Sequence, residues 1–202
     1  MPVSSGQWRS RSAWSLAGLD EPKPLVSAYT LSLDTPDKMQ AAARENAGRP
    51  LLKLKLAGPD DLARVQAVRA GAPKADIIVD ANEGWTVDAY RDLAPELARL
   101  GVMMIEQPLP ADQDEALAEI DRPVPVCADE SCHDRSSLEK LKGRYDLVNI
   151  KLDKTGGLTE ALALKTEAIR QGFGVMVGCM LGTSLAMAPA QLVAQGAQVV
   201  DL

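Results

Sequence analysis

Three short apolar runs that each end near a carboxylate determine the fold predicted for this chain of 202 residues. The runs are DIIVDAN at residues 76–82, VMMIEQP at 102–108 and VPVCADES at 124–131. Their acids, Asp80, Glu106 and Asp129, follow one another at intervals of 26 and 23 residues. An interval of this length holds one buried strand and one helix, so the runs predict consecutive parallel strands.

Five further apolar runs extend this pattern to eight predicted strands. The eight strands are predicted at 26–33, 51–56, 76–80, 102–106, 124–128, 147–152, 173–179 and 198–202. Segments with a helical spacing of apolar residues separate them, at 36–47, 60–70, 87–100, 112–120, 135–142, 159–171 and 184–195. Strands that alternate with helices predict an α/β fold with a parallel sheet.

An open doubly wound sheet and a closed barrel both fit this alternation. We favour the barrel, because polar residues end the second to sixth strands and converge on one mouth only if the sheet closes. The expected fold is a TIM-like (β/α)7β barrel over residues 25–202, with no helix after the eighth strand. Residues 1–24, which include Trp8 and Trp14, do not fit the repeat and are predicted to be a linker or the remnant of another domain.

Composition and charge narrow the functional class. A net charge of −6 and an aromatic content of 3% argue against nucleic-acid binding, which needs a basic face and stacking side chains. No stretch approaches the roughly 20 apolar residues of a membrane span, and residues 1–16 lack the apolar centre of a secretory signal. The three cysteines form no CxxC pair, which is typical of reduced thiols. We therefore expect a cytoplasmic protein that binds a small molecule, and a homo-oligomer remains open.

The three strand-end acids predict a metal site. Asp80, Glu106 and Asp129 offer only oxygen ligands, which suit Mg²⁺ or Mn²⁺ better than Zn²⁺. The alternative is that each acid caps the following helix or pairs with a surface lysine. This alternative is disfavoured because the three acids end consecutive strands and would lie close together. Carboxylates clustered without a cation repel one another strongly.

Lysines mark two other predicted strands, on opposite sides of an eight-stranded barrel. Lys151 lies at the end of the sixth predicted strand inside an apolar run, where partial burial is expected to lower its pKa. Lys53 and Lys55 lie two residues apart on the second strand and so point to the same side. If that side is the interior, Lys55 becomes a usable base. The alternative is a solvated edge strand whose lysines reach into water.

Two lysines that face each other across a metal-bound substrate predict chemistry at a carbon next to a carboxylate. A carbon acid held between them would lose a proton to one lysine and regain a proton from the other. The cation would stabilise the adjacent carboxylate as an enediolate while the proton is absent. The expected product carries the inverted stereocentre, so the arrangement predicts epimerisation.

The motifs around these residues resemble the enolase superfamily. The motifs are KLK at 53–55, DANEGW at 80–85, IEQPLP at 105–110, CADES at 127–131 and NIKLDKTGG at 149–157. Within the superfamily the series is similar to the muconate-lactonizing subgroup and, there, to the dipeptide epimerases of the L-Ala-D/L-Glu type. The resemblance covers nearly all of residues 25–202, and the motifs are specific as a set.

The resemblance implies a role for each site residue. Lys55 and Lys151 would be the acid–base pair, with Lys53 as the supporting lysine. The Mg²⁺ ligands would be Asp80, Glu106 and Asp129. Asp201 matches the first acid of an Asp-x-Asp motif that binds the ammonium group of the dipeptide substrate. Enzymes of this kind epimerise the Glu residue of L-Ala-L-Glu and L-Ala-D-Glu, which links them to the recycling of murein peptides.

The sequence also departs from the family pattern. Because Leu202 is the last residue, the second acid of the Asp-x-Asp motif does not follow, and most of the family's N-terminal α+β capping domain is expected to be missing. Two alternatives therefore stay open. One is another enzyme of the subgroup, such as a muconate cycloisomerase or an o-succinylbenzoate synthase, and the other is an inactive metal-binding barrel. Asp201 favours the epimerase, because a carboxylate attracts the cationic ammonium end of a dipeptide and repels a dicarboxylate such as muconate.

Overall fold

The computed structural model describes residues 12–202, which form one parallel sheet of eight strands. The strands are β1 (Tyr29–Leu31), β2 (Leu51–Lys55), β3 (Asp76–Asp80), β4 (Val102–Glu106), β5 (Val126–Ala128), β6 (Leu147–Ile150), β7 (Gly174–Gly178) and β8 (Val199–Asp201). Each strand is hydrogen-bonded to the next one along the chain. The predicted barrel is confirmed, whereas Trp8, in the segment predicted as a linker, lies outside the described residues.

Helices connect the strands and cover the outside of the sheet. They are α1 (Ala13–Leu16), α2 (Pro36–Glu45), α3 (Asp61–Gly71), α4 (Val87–Arg99), α5 (Leu138–Leu141), α6 (Leu152–Thr155), α7 (Leu158–Arg170) and α8 (Ser184–Ala194). α2 begins at Pro36, because proline fixes a helical φ and its missing N–H has no partner to lose at a first helical position. Among residues 12–202, every helix falls short of the length and apolar character that a membrane crossing needs.

Two of the predicted α-helices are shorter in the structure, and each is at least partly a 3₁₀ helix. The segment 112–120 is a 3₁₀ helix, Asp114–Ala118, which buries one large apolar side chain, Leu117, and so lacks the stripe that stabilises an α-helix. The segment 135–142 divides into a 3₁₀ turn, Arg135–Ser137, and α5, because the Asp134 side chain caps the turn at Ser136 N. The predicted strand 147–152 ends at Ile150, and α6 begins two residues later.

The strands present two faces, as their period of two requires. Outward side chains such as Leu52 and Leu54 belong to the main apolar core together with Val65 and Val68 of α3. Six inward side chains form a second buried cluster, namely Ile78, Met104, Cys127, Leu147, Met176 and Val199. Two positions further along the same strands lie Asp80, Glu106, Asp129, Asn149, Gly178 and Asp201. The interior therefore has an apolar layer below and a largely polar layer at the carboxyl ends of the strands.

Contacts between β1 and β8 bring the two ends of the sheet together. Ala28 N donates a hydrogen bond to Val200 O at 2.8 Å. Ser27 Oγ donates to Leu202 O at 3.0 Å, and Leu202 N donates back to Ser27 Oγ at 2.9 Å. These bonds nearly close the barrel and hold Asp201 at the mouth.

Candidate active site

The carboxyl ends of the strands bring the predicted site residues to one mouth. Lys55, Asp80 and Glu106 are in register at the ends of β2, β3 and β4. The remaining strand-end residues are Asp129 after β5, Lys151 after β6 and Asp201 at the end of β8. Consecutive parallel strands end on the same side, so the structure gathers all seven predicted residues, including Lys53, at one end of the barrel.

Lys53 is buried among three of these acids, with 3% of its side chain exposed. Its Nζ lies 2.6 Å from Glu106 Oε2, 2.8 Å from Asp201 Oδ2 and 3.0 Å from Asp80 Oδ2. Burial acts to lower the pKa of Lys53, but attraction to the three carboxylates raises it well above its usual value. Lys53 is therefore a fixed positive charge rather than a group that exchanges protons.

Glu106 is fully buried and its charge is incompletely compensated. Its Oε1 accepts a hydrogen bond from Asn149 Nδ2 at 2.6 Å. Its Oε2 is close to the ammonium group of Lys53 but accepts no hydrogen bond from the described residues. Burial, followed by repulsion from Asp80, raises the pKa of Glu106 to about 7. A further positive charge at this position would be favourable.

Lys55 lies on the open side of the mouth, with 37% of its side chain exposed. Its Nζ donates to Asp80 Oδ2 at 2.7 Å and to Asn82 Oδ1 at 2.8 Å. Asn82 has a left-handed backbone, with φ of 43°, and its N–H donates to Asp80 Oδ1 at 3.0 Å. The tight turn after β3 thus directs a carboxylate and an amide oxygen at the same ammonium group.

Two lysines contact Asp129, one at each of its carboxylate oxygens. Lys151 Nζ lies 2.5 Å from Oδ2, and Lys154 Nζ lies 2.6 Å from Oδ1. Burial acts to raise the pKa of Asp129, but the two ammonium groups lower it overall. The prediction that Lys151 has a lowered pKa is wrong. Burial does act in that direction, but the contact with Asp129 outweighs it and raises the pKa of Lys151.

Two further residues of this mouth, Asn149 and Lys154, were not predicted from the sequence. Asn149 lies two residues before Lys151, on the inward face of β6. Residues two apart on a strand share a face, so this spacing could have indicated from the sequence that Asn149 belongs to the site. Gly178 on β7 leaves room for its side chain, since a Cβ there would lie 2.9 Å from Asn149 Oδ1. Lys154 lies three residues after Lys151, which places both on the same side of the short turn α6.

A buried amide supports the loop that carries Asp129. Gln107 Oε1 accepts the backbone N–H groups of Asp129 at 2.9 Å and Ser131 at 3.2 Å. Gln107 Nε2 lies 2.8 Å from both Ser131 Oγ and Tyr145 Oη. Tyr145 Oη in turn donates to Asp114 Oδ2 at 2.8 Å. The network holds the backbone of Asp129 in place between β4 and β6 and leaves its carboxylate free for the lysines.

The donor chemistry of the mouth fits a hard cation. Asp80, Glu106 and Asp129 offer only oxygen atoms, and one buried oxygen of Glu106 lacks a hydrogen bond within residues 12–202. As the side chains stand, each of these acids contacts a lysine. No group of three or more His, Cys, Asp or Glu side chains in the described chain is gathered closely enough to hold a metal ion. The carboxylates would therefore have to turn from their lysines to share a cation.

Comparison with known proteins shows the family. Residues 37–199 match the family model described as enolase C-terminal domain-like. The chain belongs to this family. It is 51% identical over 177 residues to the N-acetyl-D-glutamate racemase of a Pseudoalteromonas species, covering 88% of this chain and 56% of the relative. It is also 51% identical over 184 residues to the L-Ala-D/L-Glu epimerase of Escherichia coli (strain K12), covering 90% of this chain and 57% of the relative.

A solved structure agrees with this enolase-family barrel in detail. It is an enolase family member from Agrobacterium tumefaciens with homology to dipeptide epimerases, with sodium and L-Ala-L-Glu bound. The match has a TM-score of 0.91 and 58% identity, and it covers 94% of this chain and 58% of the other. The chain thus spans little more than half the length of these three proteins. The resemblance to the dipeptide epimerases of the enolase superfamily is confirmed.

Proposed function

We propose that this chain supplies the catalytic barrel of an epimerase that inverts the glutamate α-carbon of dipeptides of the L-Ala-D/L-Glu type. The observation that carries the proposal is the placement of Lys55 at the end of β2 and Lys151 after β6, half a turn apart in an eight-stranded barrel. Asp80, Glu106 and Asp129 lie at the carboxyl ends of the three strands between β2 and β6. The names of the two relatives at 51% identity support an inversion at a glutamate α-carbon.

The two lysines would act on opposite faces of the substrate. One takes the α-hydrogen as a proton, and the other returns a proton to the opposite face, which inverts the centre. Each lysine is now tied to an acid, Lys55 to Asp80 and Lys151 to Asp129. If Asp129 turns away, burial becomes the main influence on Lys151 and lowers its pKa toward the range of a useful base.

Lys53 has a different task in this scheme. Its buried ammonium group keeps its proton, because three carboxylates surround it. It supplies a permanent positive charge beside the position where the substrate carboxylate gains negative charge. That charge is in place before the reaction begins, so no reorganisation is needed to provide it.

We assign Asp80, Glu106 and Asp129 as the residues that hold Mg²⁺. The all-oxygen donor set supports this assignment, as does Glu106 Oε2, which contacts Lys53 but accepts no hydrogen bond from the described residues. When bound, Mg²⁺ would supply positive charge that stabilises the substrate carboxylate as the α-proton leaves. The ammonium groups of Lys55 and Lys151 would then be free to face the substrate rather than Asp80 and Asp129.

Asp201 is the residue we assign to the ammonium group of the dipeptide. It is partly exposed at the mouth, and one of its oxygens contacts Lys53. A substrate ammonium group would approach the exposed side of this carboxylate. The assignment predicts a preference for dipeptides with a free amino end over acids that lack an ammonium group.

Racemisation of an N-acylated glutamate is a second candidate. The observation in its favour is the same Lys53–Asp201 ion pair, because a carboxylate that is already paired does not require a cationic substrate end. One relative at 51% identity is named as an N-acetyl-D-glutamate racemase. The two candidates share the lysines and the acids and differ only at the amino end of the substrate.

A substrate panel tests both candidates. Purified protein with Mg²⁺ is incubated with L-Ala-L-Glu, L-Ala-D-Glu, N-acetyl-D-glutamate and cis,cis-muconate, and products are separated by chiral chromatography. We expect inversion of the Ala-Glu dipeptides. Preferred turnover of N-acetyl-D-glutamate would favour the second candidate, and turnover of muconate alone would contradict both.

The biological setting is part of the proposal. An epimerase for Ala-Glu dipeptides fits the recycling of murein peptides, in which such dipeptides arise. We assign it to the cytoplasm, because the three cysteines are free thiols and show no disulfide spacing. Detection of the protein outside the cytoplasmic fraction of the cells that produce it naturally would contradict that assignment.

A further inference from the structure

Lys154 has no part in the scheme above, although it lies beside the proposed acid–base lysine. Its Nζ is 2.6 Å from Asp129 Oδ1, 2.6 Å from Asp129 O and 2.9 Å from Asn149 O. Only 13% of its side chain is exposed. These acceptors belong to the end of β5 and the end of β6, so one ammonium group joins the two strand ends.

The hydrogen bonds of Lys154 distinguish it from Lys151. An ammonium group has three N–H donors, and Lys154 has three acceptors for them. Lys151 donates to a single acceptor among the described residues, Asp129 Oδ2 at 2.5 Å. Lys151 therefore retains N–H groups that can turn to a substrate, whereas Lys154 is fully engaged in holding the protein.

Both lysines are fixed to the same short turn. Lys154 N and Thr155 N donate to Lys151 O at 3.0 Å and 3.1 Å, which places Lys154 one turn beyond Lys151. Gly156 ends this turn with a φ of 77°, a left-handed conformation that glycine adopts without strain. The two side chains therefore leave the turn together and meet the two oxygens of one carboxylate.

We propose that Lys154 is a positioning residue that ties the turn carrying Lys151 to the ends of β5 and β6 through Asp129 O and Asn149 O, and so fixes the place of the Lys151 ammonium group. The proposal rests on the two-lysine epimerase described above. These two backbone contacts do not involve the Asp129 carboxylate, so they persist if the carboxylate turns to a cation, and without Lys154 the turn loses them. Lys55 keeps its own contacts with Asp80 and Asn82, so the loss falls on one face of the substrate.

The test measures exchange of the α-hydrogen with D₂O in the presence of Mg²⁺, separately for L-Ala-L-Glu and L-Ala-D-Glu. Each epimer presents its α-hydrogen to one of the two lysines. In Lys154→Met we expect exchange of the epimer that faces Lys151 to fall by up to about 100-fold, as misplacement of a catalytic group does. Exchange of the other epimer should be retained, because Lys55 is undisturbed. A role in stability alone would lower both rates together.

Lys165→Met is the matched control. Lys165 is another partly buried lysine whose Nζ donates to backbone carbonyls, those of Val193 at 2.8 Å and Gln195, away from the mouth. It should leave the ratio of the two exchange rates unchanged. An unchanged ratio in Lys154→Met as well, or an equal fall for both epimers, would overturn the proposal for Lys154.

A crystal structure of Lys154→Met separates this proposal from the proposed function. We expect the turn Leu152–Thr155 to shift away from the end of β5 and the Lys151 side chain to move with it. A turn and a Lys151 side chain that keep their places in the variant would overturn the positioning role whatever the activity. If the unchanged protein exchanges neither epimer, the proposed function fails, and the structure alone decides the role of Lys154.

Discussion

Lys53 and Asp201 form an ion pair near the seam of the barrel, with Lys53 Nζ 2.8 Å from Asp201 Oδ2. The two residues are 148 positions apart and lie on β2 and β8, which flank β1 in the nearly closed sheet. The same ammonium group also contacts Asp80 and Glu106. One buried charge therefore connects the acid proposed to recognise the substrate with two acids proposed to hold the metal.

Replacement of Lys53 by methionine should destabilise the protein strongly. It leaves three carboxylates facing one another without their shared cation, and loss of one partner of a buried ion pair costs about 3–5 kcal/mol. Urea unfolding measures this change in the free energy of unfolding.

Lys38→Met is a suitable control for Lys53→Met, because the Lys38–Asp34 pair is exposed, with 71% of the lysine side chain accessible. Its loss should leave the free energy of unfolding nearly unchanged, because an exposed ion pair contributes little in water. Equal and small effects of the two substitutions would contradict the central place of Lys53 in this site.

Glu106 should make the stability of the metal-free protein depend on pH. Its pKa is raised from 4.5 to about 7 in the folded protein, mainly by burial. Folding therefore favours the protonated form, so the stability that Glu106 contributes is fully present below pH 4.5 and is lost as the pH rises through about 7.

The variant Glu106→Gln isolates this effect, because it cannot titrate. Without metal, its free energy of unfolding should improve relative to that of the unchanged protein as the pH rises from about 4.5 to about 7. Chemical unfolding at a series of pH values gives the comparison. Parallel curves for the two proteins would contradict the raised pKa.

Substitution of Gly178 by alanine should damage the site by pushing Asn149 from its place. The added Cβ would lie 2.9 Å from Asn149 Oδ1 and 3.0 Å from Nδ2, closer than such contacts allow. Overpacking of this kind costs about 1–3 kcal/mol, and displacement of Asn149 removes the hydrogen bond to Glu106 Oε1. Both the free energy of unfolding and kcat should fall.

Gly48→Ala provides the comparison for Gly178→Ala. Nothing lies within 4 Å of a Cβ at Gly48, and its backbone does not have a positive φ. This variant should match the unchanged protein in stability and in kcat. If Gly178→Ala also left stability and kcat unchanged, the prediction that close packing of β6 against β7 maintains the site would be contradicted.

The barrel was predictable from sequence because its signals are local. Each buried strand is a short apolar run, and the period of two placed Leu52 and Leu54 outward and Lys53 inward, as the structure has them. The carboxyl ends of parallel strands share one side, so the meeting of the acids and lysines followed from the order of the strands.

What sequence reasoning missed depends on partners from other strands. The pKa of Lys151 was predicted to fall because burial can be read from an apolar run, whereas its contact with Asp129 cannot. Lys154 was overlooked because its three acceptors lie on two different strand ends. The helix predicted at 112–120 proved to be a 3₁₀ helix, since apolar spacing alone does not show how many side chains are buried.

The most direct test of the two-lysine account compares Lys55→Ala with Lys151→Ala, by following the α-hydrogen of each Ala-Glu epimer in D₂O with Mg²⁺ by NMR. We predict that neither variant interconverts the epimers. Each should still exchange the α-hydrogen of one epimer, and the epimer that exchanges should be opposite in the two variants. Interconversion that persists in either variant, or exchange of the same epimer in both, would contradict the assignment of the two lysines to opposite faces of the substrate.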